Sequence, residues 1–259
     1  MPTVSPTPPL RIGILANEVS GDQLAAALIE ALKIRHPNIE FEGMTGPLME
    51  AAGCRTLAPM DPVMGLTEIL KHLPGLLKLR RGLARHFQQS RPDLVIGVDA
   101  PDFNLALERK LKQAGVKTAH FVCPSVWAWR QERARKFSGS VDLMLCLFDF
   151  EVDFLRGYGV NATFVGHPLA DQIPLEAPDA SRLRQQLGLD PARPVVALLP
   201  GSRMSEVARL ADDFIRTALW CRERKPDLQY VAPMVNQRVR QAFEGRISAL
   251  APDLSISLL

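Results

Sequence analysis

The sequence predicts an α/β protein built on parallel sheets, and three observations carry that prediction. Apolar runs of strand length alternate with stretches of helical spacing along most of the chain. The residues between strand and helix are repeatedly small, polar or acidic, as in NEVSGD, VDAPDFN and PGSR. The alternation restarts after a segment rich in proline and acids, so one Rossmann-like parallel-sheet domain precedes the first half of a second.

Composition sets the outer limits. With 259 residues, 47% hydrophobic and 23% charged, the chain has the make-up of an ordinary globular protein with room for one large or two modest domains. A net charge of +3 gives no global nucleic-acid signature, and the basic residues are interleaved with leucines rather than set in a known nucleic-acid module. Cys54, Cys123, Cys146 and Cys221 are scattered, with no CxxC pair and no matching His spacing, which argues against a metal site and a disulfide framework and for a reducing cytoplasm. Residues 1–9 hold four prolines and no charged side chain, so they read as a disordered leader rather than a signal peptide. No stretch reaches the roughly 18 apolar residues of a spanning helix, so any membrane contact is expected from the surface.

Taken in order, 10–16 reads as the first strand and 21–33 as the first helix. Glu18, Ser20 and Asp22 stand between them, where backbone N–H groups at a helix start favour an anion or a sugar. Ser20 or Asp22 as a simple N-cap is the alternative. A second strand spans 39–43, and a short helical piece follows over 46–52. The stretch 63–87 stands apart: it is leucine-rich, its charges are mostly Lys and Arg, and Pro74-Gly75 is expected to break it into two helices. Such a segment fits either a lipid interface or a layer helix on a sheet.

Strand 94–98 opens into Asp99, Pro101 and Asp102 ahead of a helix to Gln113. A carboxylate at the carboxyl end of a strand faces the ligand crevice of an open α/β sheet, although Asp is also common in such loops for local hydrogen bonding. Strand 117–123 leads to Trp127, Trp129 and Arg130, which either stack on a sugar or nucleobase and hold phosphate, or leave one tryptophan buried and one wedged at a domain edge. Strand 141–147, helix 150–158 and strand 162–165 follow, then His167 before Pro168, a ligand, a catalytic group or a structural histidine. Residues 173–190 read as a linker. Beyond it come strand 195–199, helix 205–224, strand 229–232, helix 236–250 and strand 254–259. Gly201, Ser202 and Arg203 sit in the strand-loop-helix setting that suits a diphosphate.

The motifs ANEVSGD, VDAPDFN, PSVWAWR, GHPLAD and LLPGSR, in this order and at these intervals, resemble the lipid-A-disaccharide synthase family over roughly residues 10–259. The resemblance implies a metal-independent, inverting glycosyltransferase of lipid A and lipopolysaccharide biosynthesis in Gram-negative bacteria. Its fold would be GT-B, with an acceptor-side domain over 10–172 and a donor domain from 191. It would join UDP-2,3-diacylglucosamine to 2,3-diacylglucosamine 1-phosphate and release UDP, with no cofactor, since the UDP-sugar is a substrate. It would work as a peripheral protein on the inner face of the inner membrane.

By matching position, Asp99 would be the general base on the acceptor's 6-hydroxyl. Glu18, Ser20 and Asp22 would shape the acceptor side, and Gly201, Ser202 and Arg203 would hold the donor diphosphate. Val63, Met64, Leu66, Ile69, Leu70, Leu73, Leu76 and Leu77 would dock to the membrane. Asn17 stands where the family usually has Gly. The donor domain over 191–259 holds only three strands and two helices, so the chain is expected to be a truncated product, weakly active or inactive alone. Two other readings stay open: another GT-B enzyme acting on UDP-sugars, and a non-catalytic remnant that binds acylated sugar or membrane.

Overall fold

A computed structural model describes residues 8–60 and 66–259, the backbone alone over 66–73. The expectations for the leader up to residue 7, and for Val63 and Met64, lie outside the described residues. The chain divides chiefly at Ile173 into two compact units.

The first unit is a seven-stranded sheet in the order β3-β2-β1-β4-β5-β6-β7, with every neighbouring pair parallel. Its strands are β1 (Leu10–Ala16), β2 (Ile39–Thr45), β3 (Arg55–Pro59), β4 (Leu94–Val98), β5 (Thr118–Phe121), β6 (Leu143–Cys146) and β7 (Ala162–Phe164). The helices are α1 (Val19–Arg35), α2 (Pro47–Ala51), α3 (Leu66–Ser90), α4 (Pro101–Gln113), α5 (Phe150–Arg156) and α6 (Leu169–Gln172). Parallel strands need crossovers, and the sequence supplies a helix between most successive strands.

The two-residue period of the strands decides what each face buries. Ile12, Ile14 and Ala16 pack with Leu24, Ala25 and Ile29 of α1, while Leu15 and Val95 turn the other way onto Leu83 and Phe87 of α3 and Leu107 and Leu111 of α4. A third apolar cluster, with Val126, Phe137, Met144, Val152 and Leu155, fills the space beneath the loops after β5 and β6.

Three features differ from the sequence reading. β3 was not foreseen, because RTLAP is short and ends in proline, which only an edge strand tolerates. α3 is one helix with Pro74 inside it rather than two pieces. Buried Leu83, Ala84 and Phe87 fix its second half to the sheet, and that packing outweighs the backbone bond that Pro74 forfeits. The expected linker contains α7 (Ala180–Gln186), whose first N–H groups, from Ser181 and Arg182, donate to the Asp179 carboxylate at 2.9 and 3.3 Å.

The second unit carries a parallel sheet in the order β10-β9-β8, made of β8 (Val195–Ala197), β9 (Gln229–Ala232) and β10 (Ile256–Leu258). α8 (Met204–Arg224) and α9 (Gln237–Leu250) bury Val207, Ala211, Ile215, Val239 and Phe243 against it. At the start of α8, Glu206 folds back so that its carboxylate accepts from the Ser202 and Arg203 N–H groups at 2.9 and 3.1 Å. These bonds, from Arg203 first and Ser202 second, hold the Glu206 carboxyl below the usual glutamate range.

Two expected outcomes follow from this packing. A Cβ built on Gly43 would lie 1.6 Å from the carbonyl oxygen of Ile14 on the paired strand. Gly43→Ala should therefore lower the unfolding free energy in urea by about 3 kcal/mol; a loss under about 1 kcal/mol would contradict the close approach of β1 and β2. Because the folded-state pKa of Glu206 is depressed, its contribution is complete above the unfolded glutamate value of about 4.3 and disappears as pH falls through the folded value. Glu206→Gln should melt below the parent at pH 7, and the gap in melting temperature should close towards pH ~3. A gap independent of pH would show that the cap does not depend on charge.

Candidate functional site

The strand order of the first unit reverses between β1 and β4, and the carboxyl ends of these strands run side by side, with Ala16 paired to Val98. Open α/β sheets bind ligands in the crevice at such a switch point. The next residues along the two strands are Asn17 and Asp99, so the sheet brings these two positions to the same end of neighbouring strands.

Asp99 continues the ladder, donating its N–H to the Phe121 carbonyl at 2.9 Å. The chain then turns through two left-handed residues, Asp99 at φ 53° and Ala100 at φ 42°. For residues with a Cβ each such conformation costs about 1–2 kcal/mol, so the surroundings must hold the turn. They do so from α4, whose first turn begins at Pro101: the buried Asn104 amide donates to the Val98 and Asp99 carbonyls at 3.2 and 2.8 Å. The Asp99 carboxylate accepts no hydrogen bond from the described residues and is half-buried at the crevice. Asn17 Oδ1 is buried there with no hydrogen-bond partner among the described residues. A hydroxyl-bearing ligand at this crevice would have both a carboxylate oxygen and an unpaired amide oxygen to meet.

The remaining first-loop residues separate. Glu18 is the N-cap of α1 in extended backbone, and Ser20 is exposed within the first turn. Asp22 is 2% exposed, and its carboxylate accepts from the Leu48 and Met49 N–H groups, both at 3.0 Å. Both oxygens therefore cap the start of α2, so that Asp22 ties α1 to α2 behind the first loop.

On the strands beyond β4, the loop after β5 forms two 3₁₀ turns, Ser125–Trp127 and Gln131–Lys136. Trp127 is half-buried and meets Phe150 edge-on at 4.9 Å. Trp129 is 59% exposed with the Arg130 guanidinium 4.5 Å above its ring, leaving an aromatic face and a cation at the carboxyl edge of the sheet. Glu151 lies buried below, its carboxyl pushed up by burial against the opposing hydrogen bond from Phe148 N–H at 3.2 Å. His167 follows β7, three strands and about 14 Å along the edge from β4. Its Nδ1 accepts from Leu169 N–H at 3.1 Å, so it caps α6 locally rather than joining Asp99.

In the second unit, Gly201 takes φ 131°, and the Ser202 and Arg203 N–H groups already serve Glu206. The first backbone donors of this loop thus serve an internal carboxylate, and the Ser202 hydroxyl and Arg203 side chain expected to meet a diphosphate stand at the same helix start.

Beside α3, an open hollow of about 480 Å³ is lined by Leu57, Ala58, Leu79 and Leu83, with Lys78 and His86 among its walls. Leu76 and Leu77 are half-buried. The side chains of Leu66, Ile69, Leu70 and Leu73 lie outside the described residues. No helix among the described residues is long and apolar enough to cross a membrane, and no cluster of His, Cys, Asp and Glu among them could hold a metal ion. The four cysteines are free, and burial pushes the Cys54 thiol up to about 12.

Two residues of this region were missed in the sequence. Glu108 and His120 are both fully buried, with His120 Nδ1 2.9 and 3.1 Å from the two Glu108 oxygens. The signal for Glu108 was available: Asn104 and Glu108 are four apart on the helix face that also carries Leu107 and Leu111. His120 gives none, because a lone His in an apolar strand reads as packing.

The comparisons with known proteins agree with this architecture. Solved UDP-N-acetylglucosamine 2-epimerases from Methanocaldococcus jannaschii and Neisseria meningitidis superpose with TM-scores of 0.64 and 0.63 at 12% and 13% identity. Each match covers 96% of this chain, and 73% and 71% of the respective structures, so the fold is shared and GT-B-like. Proteins called lipid-A-disaccharide synthase are much nearer in sequence. The Yersinia pestis protein is 48% identical over 253 residues, 97% of this chain, and the Pseudoalteromonas translucida protein is 51% identical over 252 residues, 96% of this chain. The chain spans 64% and 65% of the length of these two relatives. A family model described as lipid-A-disaccharide synthetase matches residues 12–259, and the chain belongs to that family.

Proposed function

We propose that this chain carries the acceptor-side machinery of a metal-independent, inverting glycosyltransferase that joins UDP-2,3-diacylglucosamine to 2,3-diacylglucosamine 1-phosphate and releases UDP. The observation that carries the reading is the Asp99 carboxylate, which stands at the switch point in a chain of this family with no hydrogen bond to the described residues.

The chemistry follows from that position. An aspartate is ionised at neutral pH, as a base must be, and one oxygen takes the proton of the acceptor's 6-hydroxyl while the hydroxyl oxygen attacks the anomeric carbon of the donor. The bond from that carbon to the diphosphate breaks on the opposite face, so configuration inverts and UDP leaves with the electron pair. Asn17 Oδ1 accepts from a second hydroxyl of the acceptor. Trp129 and Arg130 offer a stacking face and a cation to a sugar phosphate.

On the donor side, Arg203 and the start of α8 balance charge on the departing diphosphate once Glu206 has released the Ser202 and Arg203 amides. No cofactor enters this scheme. The basic, leucine-bearing α3 and the hollow beside it favour work on lipid substrates at the inner face of the inner membrane.

The test measures UDP release and disaccharide formation from the two diacylated substrates in mixed micelles. Asp99→Asn should lower the rate about 10²- to 10⁴-fold with substrate binding little changed. A variant as fast as the parent removes Asp99 as base, and a parent that binds neither substrate removes the reading as a whole.

A further inference from the structure

We propose that Asn104, Glu108 and His120 form a buried positioning set that aims the Asp99 carboxylate, an inference that rests on Asp99 as the base. All three side chains are fully buried, and none faces the crevice. Each bond they make leads towards the turn after β4. Asn104 Nδ2 donates to the carbonyls of Val98 and Asp99. Glu108 Oε1 accepts the N–H of Gly97 at 3.0 Å, and the Glu108 carboxylate is itself met by His120 Nδ1. Gly97 and His120 are direct partners across the β4–β5 pair, so the set closes a loop from helix to strand to neighbouring strand.

The accounting of donors supports more than packing. His120 Nδ1 meets both oxygens of the Glu108 carboxylate, and its Nε2 is buried with no partner among the described residues. Asn104 Oδ1 is likewise buried and unpaired. A fold that needed only a filled core at these places would be served by apolar side chains, which leave no orphaned atoms. What apolar side chains lack is a donor for the Val98 and Asp99 carbonyls and an acceptor for the Gly97 amide. Those contacts hold two successive left-handed residues, and the direction of the Asp99 side chain is set by that backbone. Gly97 completes the arrangement, since a Cβ there would lie 2.2 Å from Glu108 Oε1 and 2.8 Å from Asn104 Cβ.

The experiment uses the 259-residue chain with Asn104→Ala, His120→Leu and His120→Asn, the last keeping an N–H near the position of Nδ1. Turnover with the two diacylated substrates should show kcat down about a hundredfold in Asn104→Ala and His120→Leu, the scale of a misplacement near 1 Å. KM should stay within about threefold, and His120→Asn should restore most of kcat. Backbone chemical shifts of Asp99 and Ala100 should leave their left-handed values in the first two variants and return in the third. Folded variants that keep kcat and those shifts overturn the proposal. If the parent shows no turnover, the shifts alone decide whether the set holds the turn, and binding of the two diacylated substrates to the parent decides the glycosyltransferase reading separately. If the variants do not fold, hydrogen exchange in the parent decides. Gly97 and Asp99 amides that exchange only with global unfolding support the set, and exchange by local opening overturns it.

Discussion

The carboxyl edge of the first sheet depends on α4 lying close enough to β4 for helix side chains to bond the strand's backbone from inside the core. Gly97 creates that closeness, because any side chain there would occupy the space of Glu108 and Asn104. Once the helix is close, Asn104 and Glu108 stand one turn apart on its buried face and reach successive stretches of strand. The turn that follows has a backbone unfavourable for Asp and Ala, and it persists because its carbonyls are held. Strain and a half-buried carboxylate without a hydrogen bond from the described residues are therefore found together at this edge.

The neighbouring loop, after β1, is fixed by different means. Its backbone needs no left-handed residue; instead Asp22, one turn into α1, accepts from the first N–H groups of α2, where Gly46 leaves it room. The start of α1 is thereby tied to α2 and, through the β1–β2 pair, back to the sheet. Two loops that meet at the switch point are thus anchored to different layers, α4 behind one and α2 behind the other. Asn17 and Asp99, the residues carried between these anchors, are left with oxygens that nothing in the described protein satisfies.

How much of this could be read beforehand follows from which physical signals are local. The order of strands and helices is local: apolar alternation placed β1, β4, β9, α4 and α8 within a few residues of their observed bounds. Asp99 was legible for the same reason, since a carboxylate just after a buried strand implies the crevice of an open sheet. β3 was not, because Arg55–Pro59 holds one leucine and gains its structure from pairing with β2. The continuity of α3 through Pro74 was hidden too, because it rests on Leu83 and Phe87 packing on strands far away in sequence. Asp22, Glu108 and His120 show the same limit at the site. Their residue types permit chemistry, and only the partners, 26, 11 and 12 residues away, show Asp22 and Glu108 holding backbone and His120 holding Glu108.

The second unit extends this reasoning to the ligand. A helix start is an anion site because its first amides lack partners, and evolution can fill that need with a side chain or leave it for a substrate. Here Glu206 fills it, with Gly201 at positive φ allowing the loop to curl over the carboxylate and a Cβ there set to strike Glu206. The carboxylate and a diphosphate oxygen present the same chemistry to the Ser202 and Arg203 N–H groups, so the two compete for one pair of donors. An anion arriving at this loop must therefore exceed the internal cap, through added charge or through a side chain such as Arg203, before it gains anything from the helix. That requirement makes the amides alone a poor measure of what the loop binds.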